Sequence, residues 1–268
     1  MIQFGSGISG FQLPIEQLAA FADAPFQGNP AAVCWLDAWL PDALMQAIAT
    51  ENNLSETAFL VGGGGRYQLR WFTPTCEVDL CGHATLAAAA VVFRQEPQRD
   101  TLLFQSRSGP LRVQREGDRI CLDFPVQRAH PCLPPAGLGE AIGATPQSCL
   151  QGVDLIAVFA DEDTIRSLHP DLERVAALPG RGLIVTAPGQ HVDVVSRFFA
   201  PGCGIPEDPV TGSAHCSLTP YWCETLDKTV LSARQLSARG GSLCCTLQGE
   251  RVLISGRVIP YLSGTIQV

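Results

Sequence analysis

The chain has 268 residues, 46% of them hydrophobic and 16% charged, and a formal net charge of -8. That length and apolar content allow one large core or two domains of ordinary size, and an acid excess without any basic run argues against a protein that grips nucleic-acid phosphates. The longest apolar stretch, residues 84–93 broken only by Thr85, is about half of a bilayer span, and the N-terminus lacks the basic-then-apolar order of a signal peptide, so a cytoplasmic protein with no membrane partner is expected.

Met1-Ile2-Gln3-Phe4-Gly5-Ser6-Gly7 carries no periodicity and reads as a disordered lead-in or a start-site artefact. Residues 17–21 and 31–35 are apolar strand candidates separated by the turn-rich Pro25-Phe26-Gln27-Gly28-Asn29-Pro30. Leu40, Leu44, Ala47 and Ile48 recur at helical spacing, so an amphipathic surface helix is expected over 40–50. Residues 57–61 and 67–72 flank Gly62-Gly63-Gly64-Gly65, which reads as a hairpin turn. A phosphate loop would need its glycines to lead into a helix, whereas these lead into the strand-like residues 67–72. Residues 84–93 are apolar on nearly every side, so a helix there has to be enclosed by protein, as by a sheet curled around it.

Strands come next at 101–106, 111–115 and 120–124, and the proline-punctuated segment 125–139 is the expected linker. Beyond it the pattern restarts with a strand at 155–159, a helix at 170–177, and strands at 182–186 and 192–199. A helix over 212–226 contains Pro220, which is expected to kink or interrupt it. Strands at 233–239 and 243–248 are separated by a Gly240-Gly241 turn, and the chain closes with strands at 251–255 and 261–268, divided by Gly256 and Pro260.

One segment is doubled. Arg70-Trp71-Phe72-Thr73-Pro74-Thr75-Cys76 returns as Arg197-Phe198-Phe199-Ala200-Pro201-Gly202-Cys203. Each copy runs through an acidic residue into a glycine that opens a helical stretch, Asp79-Leu80-Cys81-Gly82-His83-Ala84-Thr85 in the first and Asp208-Pro209-Val210-Thr211-Gly212-Ser213-Ala214-His215 in the second. A period of about half the chain is domain-sized, far above that of a solenoid, so two related units are expected. The eleven cysteines are odd in number, in a long chain without a signal, and are expected to be reduced and mostly buried. Cys76, Cys81 and His83 lack a C-x2-C pair or other ligand spacing, and no metal is expected.

At Gly82 and Gly212 the first-turn N–H groups have no partner within the helix, and glycine lets a ligand approach the backbone closely. The helix dipole adds positive potential, so each is a candidate site for a small anion. The alternative is ordinary capping, with Thr211 or Ser213 satisfying its own helix end. Asp208 either stabilises its loop or orients a catalytic group in a cleft between the units. His83, one residue into its helix, is expected to stay neutral near the positive end and is a candidate proton donor or relay, or else structural. Glu56 stands at the mouth of an apolar strand, either solvated or desolvated enough to serve as general acid or base.

Together, Phe26-Gln27-Gly28-Asn29-Pro30-Ala31-Ala32-Val33, Ser55-Glu56-Thr57-Ala58-Phe59, Cys81-Gly82-His83-Ala84-Thr85 and Gly204-Ile205-Pro206-Glu207-Asp208-Pro209-Val210-Thr211-Gly212-Ser213-Ala214-His215 resemble the phenazine-biosynthesis PhzF-like family of isomerases and epimerases. The resemblance runs in order from about residue 18 to the C-terminus. It implies an α+β, diaminopimelate-epimerase-like fold: two pseudo-symmetric domains, each a curved, mainly antiparallel sheet wrapped around a central helix, with the active site between them. On that basis residues 11–127 and the C-terminal strand 260–268 are assigned to the first domain and 128–259 to the second. The resemblance also implies a homodimer and a cofactor-independent isomerase whose glutamate, here Glu56, shuttles a proton. His83 and Asp208 match further active-site positions. Gly82 and Ser213 match positions whose backbone meets the substrate, and with the helix-end residues Thr211 and Gly212 they make the expected substrate-binding set.

The expected activity is therefore isomerisation of a small anionic, carboxylate-bearing metabolite, with no metal and no cofactor. An amino- or hydroxy-acid epimerase or racemase is the nearest alternative. Cys81 precedes Gly82 as in one epimerase site, but the second loop has Asp208-Pro209-Val210 in place of a second cysteine. A non-catalytic small-molecule binder on the same scaffold is the other alternative, since one fold hosts many functions.

Overall fold

The computed structural model describes residues 10–268, and the N-terminal lead-in lies outside them. Strands β1 (Gln12–Ala20) and β2 (Asn29–Leu36) pair antiparallel. Helix α1 (Asp42–Asn52) then carries the chain over so that β3 (Glu56–Gly63) lies parallel to β2. A hairpin joins β3 to β4 (Arg66–Phe72) through Gly64 and Gly65, both at positive φ, 66° and 86°. Two consecutive left-handed residues make a turn whose twist matches that of the strands, and glycine adopts it without strain. The short β5 (Glu77–Val78) folds back on the end of β4, and α2 (Gly82–Gln95) comes after it. Strand β6 (Thr101–Ser106) returns parallel to β4, and β7 (Gly109–Glu116) and β8 (Arg119–Pro125) complete a meander.

The second half repeats this pairing. After β9 (His130–Cys132) and α3 (Leu138–Ile142), β10 (Ser148–Gln151) pairs antiparallel with β11 (Leu155–Val158). Helices α4 (Glu162–Ser167) and α5 (Leu172–Ala176) form the crossover to β12 (Leu183–Pro188), parallel to β11, and β13 (Val194–Phe199) turns back antiparallel. Then come α6 (Gly212–Leu226), β14 (Val230–Gln235) parallel to β13, and the meander of β15 (Gly241–Gln248) and β16 (Arg251–Gly256). Strands β8 and β16 pair across the halves and join all into one 17-stranded sheet. Strand β9, just past the first meander, pairs with β10, and the C-terminal β17 (Val258–Gln267) returns to pair with β1.

The doubled segment has a mechanical reason. Arg70 Nε and Nη2 each donate at 2.7 Å to the two carboxylate oxygens of Glu77. Arg197 does the same to Glu207, at 2.8 and 3.1 Å. Each guanidinium also lies over the phenylalanine two residues on, 5.2 Å from Phe72 and 4.9 Å from Phe199. A planar fork matched to a carboxylate fixes direction as well as distance, so each copy ties the end of a strand to the loop that aims the next helix.

Every residue of α2 from His83 to Phe93 is buried, and the helix packs against β1, β2, β3, β7, β8 and β17. The enclosed helix expected from its apolar composition is thus wrapped by the curved sheet. Its core also includes Val210, Cys216, Ala233, Leu243, Val252 and Ile254 from the second half.

Four local expectations are corrected. Helix α6 is not interrupted at Pro220 but continues through it to Leu226. The proline withdraws the hydrogen bond that the Cys216 carbonyl would receive, and that carbonyl accepts the backbone N–H of Gln127 at 3.1 Å instead. The segment 125–139 is not wholly a linker, because β9 and the start of α3 lie within it. The strand expected at 233–239 starts and ends earlier, at Val230–Gln235, where register with β15 sets it. Strand β17 passes through Pro260 where its register with β1 shifts between Gln17 and Leu18, a bulge that tolerates a residue without an N–H. No helix among the described residues is long and apolar enough to cross a membrane.

Candidate functional site

Glu56 opens β3, and the parallel register with β2 sets it opposite Ala31, two residues beyond Asn29. His83 is the second residue of α2. The fold brings His83 Nε2 to 3.0 Å from Glu56 Oε2, with the two side chains only 8% and 13% exposed. Yet neither atom has an aligned hydrogen bond among the described residues. Buried polar atoms without aligned partners are costly and scarce, and they concentrate where a substrate completes the bonding.

On the other edge of the imidazole, Nδ1 lies 3.5 Å from Cys81 Sγ. Burial pushes the Cys81 thiol up, with the Glu56 charge adding to it, while His83 and the Ala84 backbone N–H oppose the rise. For His83, burial alone would favour the neutral ring, but the flanking Cys81 and Glu56 outweigh it and raise its pKa well above the ordinary histidine value. The neutral ring expected from the helix end is therefore reversed, because two acceptors in contact act more strongly than the helix terminus. Ligand atoms of Glu56, Cys81 and His83 lie within 4.8 Å of one another. Cys81 and Glu56 contact opposite ring nitrogens of His83, Nδ1 and Nε2.

Asp208 comes from the loop between β13 and α6. Its Oδ1 accepts from Asn29 Nδ2 at 2.8 Å and its Oδ2 accepts from the Thr211 hydroxyl. Burial pushes this carboxyl up to about 6, while the His83 charge and the Thr211 and Asn29 hydrogen bonds hold it from rising further. The Glu56 charge also acts on it, so Glu56, His83 and Asp208 form one electrostatic group although 152 residues separate the first and last in sequence. Asn29 Nδ2 also donates to the Val210 carbonyl at 2.9 Å, and Gln235 braces the loop from behind, accepting from Thr211 N at 2.9 Å and donating to the Asp208 carbonyl at 2.7 Å.

Neither helix start is capped by its own side chain: Cys81 and Thr211 make no capping hydrogen bond. Thr211 spends its hydroxyl on Asp208, and the Ser213 hydroxyl meets Arg181. Among the described residues neither Thr211 nor Ser213 caps α6, and its first-turn N–H groups have no side-chain partner, whereas in α2 the Ala84 N–H lies toward the Cys81 sulfur. Nor does packing demand glycine here. A Cβ at Gly82 would meet nothing nearer than Phe124 Cζ at 3.6 Å, and one at Gly212 nothing nearer than Phe21 Cζ at 4.0 Å.

The site residues named from sequence thus fall into two clusters in mutual electrostatic reach. Glu56, Gly82 and His83 come from the first half, and Asp208, Thr211, Gly212 and Ser213 from the second. The bracing residues Asn29 and Gln235, and the ion pair of Arg181 with Asp154, went unassigned in the sequence. Asn29 stood in a motif already singled out. Gln235 and Arg181 carry no local signal, because their partners are 24 to 32 residues away.

The family model described as phenazine biosynthesis-like protein matches residues 18–264. A Pseudomonas aeruginosa protein named as an uncharacterized isomerase is 56% identical over 258 residues, covering 96% of this chain and 100% of its own length. The human phenazine biosynthesis-like domain-containing protein is 40% identical over 286 residues, covering 95% and 99%. The crystal structure of a PhzF-family protein from Enterococcus faecalis superposes with a TM-score of 0.94 at 46% identity, covering 96% and 100%. A hydroxyproline epimerase from Agrobacterium vitis, 9% identical, shares the fold with a TM-score of 0.60, covering 96% and 93%. The chain, matched by that family model over most of its length and by whole-length relatives named as isomerases, belongs to the phenazine biosynthesis-like, or PhzC-PhzF, family.

Proposed function

We propose that this protein is an isomerase that removes a proton from a small carboxylate-bearing substrate and returns it elsewhere on the same molecule, with Glu56 as the base. The observation that carries this reading is the buried Glu56–His83 pair, 3.0 Å apart and without aligned hydrogen bonds. The free N–H groups at the start of α6 hold the substrate carboxylate, with Gly212 leaving room for its approach. Glu56 takes an acidic C–H proton and becomes a carboxylic acid, and the electron pair moves into the adjacent conjugated system of the substrate. His83, protonated beside it, stabilises the negative charge that develops there. Glu56 then delivers the same proton to a second carbon on the same face. Asp208, braced by Asn29 and Thr211, orients the substrate from the opposite side. No step calls on a metal or cofactor.

Two proteins that share the fold at 9% and 8% identity hold small ligands: the hydroxyproline epimerase holds trans-4-hydroxy-L-proline, and a probable proline racemase from Agrobacterium radiobacter holds carbonate. A two-thiol epimerase is disfavoured because the second loop has no cysteine at Asp208-Pro209-Val210 and Cys81 lies on the far edge of His83 from Glu56. The homodimer and cytoplasmic setting implied by the family belong to the same proposal, and sedimentation velocity tests the first. A positioned general base contributes about 10²–10⁴ in rate. Glu56→Gln is therefore expected to fold normally and to lose turnover and solvent-deuterium incorporation into substrate. Incorporation at the wild-type rate in that variant would sink the assignment, and no incorporation by the wild type into any small carboxylate would favour a binding protein.

A further inference from the structure

We infer that Arg181 is a positioning residue of this site, holding the Ser213 hydroxyl as an acceptor so that its proton is free for the substrate's anionic group at the start of α6. The inference rests on the proposed function for the location of that anion. Arg181 lies between α5 and β12. Its Nε and Nη2 donate to the two oxygens of Asp154 at 2.9 and 2.7 Å, and the Asp154 side chain is 1% exposed. A buried carboxylate gripped by both prongs fixes the plane of the guanidinium, which also lies 5.5 Å from the Phe198 ring. From that fixed plane, Nη2 donates to Ser213 Oγ at 3.1 Å.

A guanidinium has donors and no acceptor, so the serine oxygen accepts and its O–H points elsewhere. Among the described residues that hydroxyl has no other hydrogen-bond partner. Ser213 occupies the position in the second repeat that His83 occupies in the first, each one residue after the helix-opening glycine. The two equivalent positions thus present a hydroxyl proton on one side and a buried, unaligned imidazole N–H on the other. Asp208, one of the two carboxylates of the group, acts electrostatically on Arg181, so the fork stands within reach of the same site. The arrangement is relayed from a buried carboxylate, to a fixed guanidinium, to an oriented hydroxyl, to the substrate.

Removing Arg181 alone would strand the buried Asp154 charge, which is strongly destabilising. The test therefore uses D154N/R181M, which removes both partners together, and R181K, which keeps one cationic partner for Asp154 without the fork, as the variant to read if the double substitution does not fold. Benzoate, with benzamide as its uncharged control, is titrated into the ¹⁵N-labelled full chain while the Gly212 and Ser213 amides are followed. In the wild type benzoate is expected to shift both amides saturably and benzamide to leave them unmoved. S213A and D154N/R181M are each expected to weaken benzoate about tenfold, and the D154N/R181M/S213A combination no further than either, because the two act through one hydroxyl. Wild-type affinity in D154N/R181M, or losses that multiply in the combined variant, would overturn the role of Arg181 and leave the anion site standing. Amides that benzoate does not move in the wild type would instead overturn the anion site itself, and the inference with it.

Discussion

At the scale of single residues, the chemistry depends on where burial and charge disagree. Gly212 is where the proposed ligand role can be told apart from a folding one. Its Cβ space is open to 4.0 Å, and alanine is the better helix former, so Gly212→Ala is expected to keep its thermal stability while activity falls at least about tenfold through blocked approach to the helix end. Lost stability together with lost activity would mean that the glycine serves packing. Asp193 illustrates a purely structural carboxylate. Burial raises its pKa, but Lys228 and Ser232 overcome this and hold the group at about 2, against an ordinary 3.8. A depressed folded-state pKa contributes stability above the unfolded value and loses it as pH falls through the folded one. Asp193→Asn is therefore expected to cost about 2 kcal/mol at neutral pH, with the difference closing between about pH 4 and pH 2 in denaturant unfolding curves. Asp208 works in the opposite sense. Its pKa is raised to about 6, so the stability of its protonated form is present below the ordinary carboxylate value and is lost as pH rises through about 6.

At the scale of elements, α2 and α6 are equivalents with different surroundings. The periodicity and apolar composition of each were legible, and both start at the expected glycine. The continuity of α6 through Pro220 was not, because the carbonyl released by the proline is satisfied by Gln127, 89 residues earlier in the chain. A proline in an ordinary helix interior costs about 3 kcal/mol. Here the freed carbonyl is already paired, so Pro220→Ala is expected to change unfolding free energy by less than about 1 kcal/mol, and a gain near 3 kcal/mol in a denaturant titration would show instead that the helix is strained. The short strands β5, β9 and β10 were likewise invisible. Segments of two to four residues have no measurable period, and only a partner strand makes them strands.

At the scale of the whole molecule, the two halves are held together by pairing along the sheet. Strand β9, just past the first meander, pairs with β10, and the C-terminal β17 returns to pair with β1. Gly28 N donates to the Gly240 carbonyl at 2.7 Å, and Arg239 returns to the carbonyls of Gly28 and Gln27 at 2.8 and 3.0 Å. Removing residues 258–268 would bare the β1 edge along its full length and take away a wall of the α2 enclosure. The truncated chain is expected to lose cooperative thermal unfolding, and a sharp transition near that of the full chain would show that β17 is dispensable. The order of the amino acids was enough to establish the doubled unit, the enclosed helix and the two glycine-marked helix starts, because period and composition are written locally, and the family resemblance singled out Glu56, His83 and Asp208 as candidates. Folding in three dimensions was needed to establish that His83 meets Glu56 and so favours the charged ring, that Thr211 turns to Asp208 instead of capping its helix, and that Arg181 holds Ser213. Each of those outcomes depends on a contact between distant parts of the chain, and burial and charge have no value until that contact exists.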